Sequence, residues 1–132
     1  MQRPFFSTAI VSALLMLGPA AYAQFGASNL YSPTEVSALI DRVHTDLDHA
    51  YRVWHFSDSD KDRLNHAEKQ LREFAEKWNH GKFDKGELDD AIGAVQHVLD
   101  NNKLPGESRD ALSDDVGRLR RMREAYDRHE IG

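Results

Sequence analysis

Residues 31–54 read YSPTEVSALIDRVHTDLDHAYRVW, and this stretch decides the fold. Ser32, Pro33 and Glu35 form a helix entry signal. The Ser32 hydroxyl and the Glu35 carboxylate can each accept a backbone N–H that a first turn leaves without a partner, and proline at the first helical position lacks an N–H that would have gone unpaired there. Tyr31 and Val36 stand on either side of this box as a hydrophobic staple. Leu39, Ile40, Val43, Leu47, Ala50, Tyr51 and Trp54 continue from Val36 at steps of three and four, one face of a 3.6-residue period. A helix is predicted from Pro33 to near His55.

Downstream the same grammar recurs. After a short polar loop, Ser57-Asp58-Ser59-Asp60, a second stripe runs Leu64, Ala67, Leu71, Phe74, Ala75 and Trp78, and Gly81 is its stop. Asp84 and Glu87 repeat the box and Phe83 and Leu88 the staple before a third stripe of Leu88, Ala91, Ile92, Val95, Val98 and Leu99, ended by Asn101 and Asn102. A fourth helix starts between Pro105 and Ser108, without an assignable cap, and carries Leu112, Val116, Leu119, Met122 and Tyr126. A shift of 52 places Ile40 on Ile92, Val43 on Val95 and Leu47-Asp48 on Leu99-Asp100; a shift of 48 places Leu64 on Leu112, Leu71-Arg72 on Leu119-Arg120 and Trp78 on Tyr126. The expected fold is all-α: an antiparallel four-helix bundle made of two duplicated helical hairpins, 32–80 and 84–130, within a domain spanning 32–130. Trp54, Phe56, Phe74 and Trp78 are expected to anchor one end of its core. A closed monomer, a homodimer of hairpins and an open form with one stripe uncovered all satisfy the pattern.

Ahead of this domain, residues 1–23 read MQRPFFSTAIVSALLMLGPAAYA. Arg3, the apolar run from Phe5 to Leu17, the Gly18-Pro19 break and Ala21-Tyr22-Ala23 have the layout of a cleaved secretory signal peptide. The run is short of the ~20 apolar residues that span a bilayer; an uncleaved anchor is the competing reading. Cleavage after Ala23 leaves Gln24–Gly132, 109 residues, with 24–31 as a flexible lead. That chain has 16 Lys and Arg against 22 Asp and Glu, a poor balance for holding nucleic acid. It has no second spanning run. A chain of this length buries roughly 65% of its unfolded surface, enough for a monomeric core. Cysteine is absent, which removes disulfides, thiolate metal sites and cysteine nucleophiles. An exported chain of this kind must rely on packing and caps.

Chemistry-bearing patterns are few. The seven histidines include His49, His66 and His97 opposite the apolar stripes, and no Glu-x-x-His pair occurs. Solvated histidines are the favoured reading, and His44 with Asp41 or Asp48 is the remaining metal candidate. Asp58-x-Asp60-x-Asp62 begins like a calcium loop, but Arg63 and Lys69 stand where the loop needs glycine and glutamate. Arg118, Arg120, Arg121, Arg123 and Arg128 are read as a salt-bridged helix surface with i,i+4 pairs Asp114–Arg118, Arg120–Glu124, Arg123–Asp127 and Glu124–Arg128. Arg123 is the exception: it projects onto the apolar stripe, where it pairs with a flanking carboxylate such as Asp115 or marks a partner surface. Trp54, Phe56 and Trp78 are the aromatic candidates for partner binding, against a plain core role. Gly93 and Gly117 fall on outward helix faces, where each costs ~1 kcal/mol relative to alanine.

The stretch Ala67–Asn102, AEKQLREFAEKWNHGKFDKGELDDAIGAVQHVLDNN, and the closing DALSDDVGRLRRMREAYDRHEIG resemble a group of small exported bacterial helical proteins of uncharacterised function. The resemblance implies a signal peptide and helical hairpins and carries no activity, cofactor or site residue. With no nucleophile elbow, phosphate loop or dinucleotide fingerprint, the expectation is a non-enzymatic periplasmic or secreted module that binds a protein or envelope component and needs no cofactor. The alternative is a small-ligand or metal-binding stress or carrier protein.

Overall fold

The computed structural model describes residues 31–53 and 57–131. The segment read as a signal peptide, the cleavage site after Ala23, and Trp54 and Phe56 lie outside them. Four helices make up the described chain: α1 Pro33–Val53, α2 Asp58–Asn79, α3 Lys85–Asn101 and α4 Gly106–Asp127. Each helix contacts two others, in the cycle α1–α2–α3–α4–α1. Ser37 meets Trp78 and His44 meets Glu68 between α1 and α2; Arg123 meets Asp89 and Arg120 meets Gln96 between α4 and α3.

The helix ends follow their local chemistry. At α1 the box is reciprocal: the Glu35 N–H donates to Ser32 Oγ at 3.2 Å, and the Ser32 N–H donates to Glu35 Oε2 at 3.4 Å. At α3 only half of it forms. The Glu87 N–H donates to Asp84 Oδ1 at 3.0 Å, while the Glu87 carboxylate lies 3.7 Å from Lys77 Nζ. Three of the four residues read as the loop before α2 belong to its first turn, because Ser57 is the cap and accepts from the Asp60 N–H. Gly81 ends α2 at φ +86°, the left-handed conformation that closes a helix, with its N–H on the Trp78 carbonyl and the Lys82 N–H on the Lys77 carbonyl. His129 closes α4 the same way at φ 61°, with its N–H on the Tyr126 carbonyl and the Glu130 N–H on the Ala125 carbonyl.

Helix α4 has no side-chain cap at Pro105, and its entry is held from elsewhere. Arg109 donates to the carbonyls of Leu99 and Asn102, satisfying the end of α3. The buried Asn102 side chain donates to the Asp60 carbonyl and accepts from Arg63 Nε at 2.6 Å. One asparagine thus ties the start of α2 to the end of α3. At the opposite end of the helices, the Tyr31 N–H donates to the Glu130 carbonyl and Tyr31 bridges Ile131, so the last residue of the segment read as flexible is tied down.

The predicted stripes face one core that includes Val36, Val43, Leu47, Leu64, Leu71, Phe74, Leu88, Val95, Leu112, Leu119 and Met122, except that Tyr51 of the α1 stripe is exposed. Burying each large aliphatic side chain contributes about 1.5–3 kcal/mol before conformational entropy is set against it. Two departures occur on α4. Ala125 rather than Tyr126 takes the inward position near its end, and Asp115, expected on the flank, is fully buried.

Candidate functional site

Two places on this scaffold carry more than packing. The first is the end where Tyr31 meets Ile131. The Phe83 ring lies at the junction of three others: edge-on to Phe74 at 5.2 Å, edge-on to Trp78 at 6.1 Å, and stacked on Tyr126 at 4.3 Å with 10° between planes. Such geometries add about 0.5–1.5 kcal/mol per pair beyond buried area. Trp78 Nε1 donates to Ser37 Oγ at 3.2 Å, which fixes the indole against α1. Around these rings a cleft of about 590 Å³ is lined by Pro33, Trp78, Gly81, Phe83, Tyr126 and Ile131. The tyrosine is 36% exposed, so its outer face meets solvent. Phe83 and Tyr126 join Phe74 and Trp78 here. Sequence reasoning reads Phe83 as a staple and Tyr126 as core; the available signal is that Phe83 stands two residues past the Gly81 stop and five past Trp78.

The second place is the seam between α1 and α4. Arg42 reaches across from α1, with Nε 3.0 Å from Asp115 Oδ1 and Nη2 2.9 Å from Asp114 Oδ2, and Asp46 lies 3.9 Å from the same guanidinium. Asp115 has no exposed surface, and its Oδ2 has no hydrogen-bond partner. Burial pushes its carboxyl up to about 7, helped by the facing Asp46 and opposed by Arg42. The neighbouring Asp114 is held below the usual carboxylate range by its bond from Arg118. The α1–α4 surface beside this cluster forms a groove of about 320 Å³ lined by Tyr31, Glu35, Leu39, Arg42, Arg118 and Arg121. Sequence reasoning never singled out Arg42. The clue lay in spacing: Asp115 falls three residues after Leu112 and four before Leu119, a stripe position occupied by an acid.

The other sequence candidates sort as follows. His44 Nδ1 lies 2.7 Å from Glu68 Oε1 on α2, while Asp48 and Glu68 share a shallow groove of about 480 Å³ with it. Asp41 is exposed and is not among the residues lining that groove. Asp48 forms a 2.9 Å ion pair with Arg52. Among the described residues no group of three potential ligands is arranged to hold a metal ion. Arg123 does not pair with Asp115. Its Nε lies 2.7 Å from Asp89 of α3 and its Nη1 bonds Asp127, because its flank of α4 faces α3, not α1. Of the other expected i,i+4 pairs, Asp114–Arg118 forms at 2.8 Å, whereas Arg120 donates to Gln96 and Arg128 pairs with Glu130. No described helix is long and apolar enough to cross a membrane. The chain matches no family model, no curated protein and no solved structure.

Proposed function

We propose that this chain is an exported, non-enzymatic helical module that binds another protein or an envelope component, in the periplasm or outside the cell, as a monomer or homodimer. In this reading residues 1–23 direct export and are removed after Ala23. The mature part is an antiparallel four-helix bundle built from a duplicated hairpin. The duplication is supported by matching helix ends. A shift of 48 carries the bounds of α2 onto those of α4 and Gly81 onto His129, the two left-handed stops. A shift of 52 carries the cap Ser32 and the staple Tyr31 of α1 onto Asp84 and Phe83 of α3. The resemblance to small exported bacterial helical proteins agrees with this reading.

The observation that carries the binding proposal is the aromatic cleft. Its rings are fixed by one another and by Ser37, so little side-chain freedom would be lost on docking, and tyrosine and tryptophan are the residues that anchor interfaces. Two measurements test it. Intact mass of protein recovered from the envelope or medium should begin at Gln24, and a recovered form retaining Arg3 overturns the export reading. A photoreactive residue at position 126 should then yield a discrete adduct in living cells that Phe83→Ala abolishes. No adduct, or one indifferent to Phe83, overturns the binding reading.

A further inference from the structure

We propose that the α1–α4 seam is a clasp tightened by a proton: the Asp115 carboxyl, shared with Asp46 across Arg42, holds α4 against α1 when protonated and loosens it when ionised. The geometry states the charge balance. From α1, Arg42 and Asp46 face Asp115; on α4 itself, Asp114 and Arg118 flank it. Helix α3, on the other side of α4, engages it through Gln96–Arg120 and Asp89–Arg123, one to two turns farther along. Helix α2 is not a neighbour of α4 in the cycle. Arg42 and Arg118 are the nearest cations, Arg121 adds a third toward Asp114, and Asp46 and Asp114 stand against them at part-exposed positions. Asp115 alone in the cluster has no exposed surface, so its ionised form puts a negative charge out of reach of water beside a second carboxylate.

The unbonded atom points the same way. Asp115 Oδ1 accepts from Arg42, while Oδ2 is buried and has no donor. An ionised carboxylate leaves that oxygen unsatisfied, at the cost of its desolvation. A proton on the carboxyl turns Asp115 into a donor, and the facing Asp46 carboxylate is the acceptor that favours it. No bond other than O–H is made or broken; the proton comes from and returns to solvent. Burial raises Asp115 from 3.8 to about 7, so the folded protein holds this proton more tightly than the unfolded chain does. The resulting stabilisation is complete below the unfolded value near 4 and is lost as pH rises toward 7. This is opposite to the behaviour of Asp84 and Asp114, whose lowered values make folding weaker only in acid.

The test is urea unfolding of the full chain from pH 5 to pH 8, with the His44→Gln background removing the His44–Glu68 pair from the comparison. The folded-to-unfolded ratio should fall at least about tenfold from pH 5 to pH 8, a tenfold change per pKa unit of differential proton binding being the conversion. Asp115→Asn should hold that ratio within about twofold. Amide exchange, corrected for its intrinsic pH dependence, should rise with pH in α1 and α4 and not in α3. Carboxyl carbon chemical shifts of the unsubstituted protein give the answer even where Asp115→Asn does not fold. An Asp115 midpoint below pH 5, or an Asp115→Asn variant that keeps the parent pH profile, overturns the clasp.

Discussion

At its centre the α1–α4 seam carries charge, and the centre of the α2–α3 seam carries small apolar side chains. Under the proposed duplication these two seams occupy equivalent places, and the same shifts that align the hairpins carry Arg42 onto Ala94, Asp46 onto Val98 and Asp115 onto Ala67. Ala67, Ala94 and Val98 are all buried, and α2–α3 is the most extensive helix contact in the protein. Short side chains let two helices approach, and the core closes by van der Waals contact. Across the α1–α4 seam a guanidinium and three carboxylates occupy the corresponding space. One backbone arrangement thus accepts either filling, and only the α1–α4 seam buries a carboxylate at its centre. The apolar seam is the stable one by construction, since buried ion pairs seldom outperform well-packed apolar residues.

The comparison breaks most sharply at Ala67→Asp. It buries a carboxylate at a position with no exposed surface and should cost about 4 kcal/mol in urea unfolding. A loss under 1 kcal/mol would show that the two seams are not distinguished by charge tolerance. Arg42→Ala should cost about 2–3 kcal/mol at pH 8, where Asp115 is ionised and left alone, and clearly less at pH 5, where it is neutral. Equal penalties at the two pH values would remove the proton from the account. Ser57→Ala removes the cap of α2 and should lower the unfolding midpoint by the equivalent of about 1 kcal/mol, bringing that helix start to the uncapped condition of Pro105 on α4. The smallest effect is favourable. Gly93→Ala, on the outer rim of the α2–α3 seam with open space where its Cβ would go, should raise stability by about 0.5–1 kcal/mol. Destabilisation there would mean that another chain needs the glycine.

Much of the scaffold was legible because its signals are local. Ser32, Glu35 and Asp84 announce helix starts through bonds made within three residues, and Gly81 announces a stop through its own backbone. His129 takes the same left-handed role without glycine's permission, so no residue type marked it. The core stripes were legible from period alone. What escaped was relational. A wheel drawn for α4 places Asp115 near the stripe but cannot supply Arg42, which lies 73 residues earlier in the chain. For the same reason Asp115 stands in the sequence as one candidate partner for Arg123, whereas the helix that supplies the partner is α3, through Asp89. The candidate site at the aromatic end was half visible: Trp78 stood out by type, whereas Phe83 and Tyr126 acquire their place only when two loops are brought to one end.

The pairing of Tyr31 with Ile131 and of Arg42 with Asp115 also sets a timetable. A chain made from its N-terminus presents α1 first and the helix that covers its far side last. At ~5–20 residues per second, the 73 residues between Arg42 and Asp115 take roughly 4–15 s to emerge. Until then α1 can pair with α2, but the ring stays open, and an open ring can still be threaded, held by a chaperone or captured by a neighbouring copy. Closure of this ring is therefore an event of α4, and whatever delays that helix prolongs the period in which the polypeptide can be handled by other machinery.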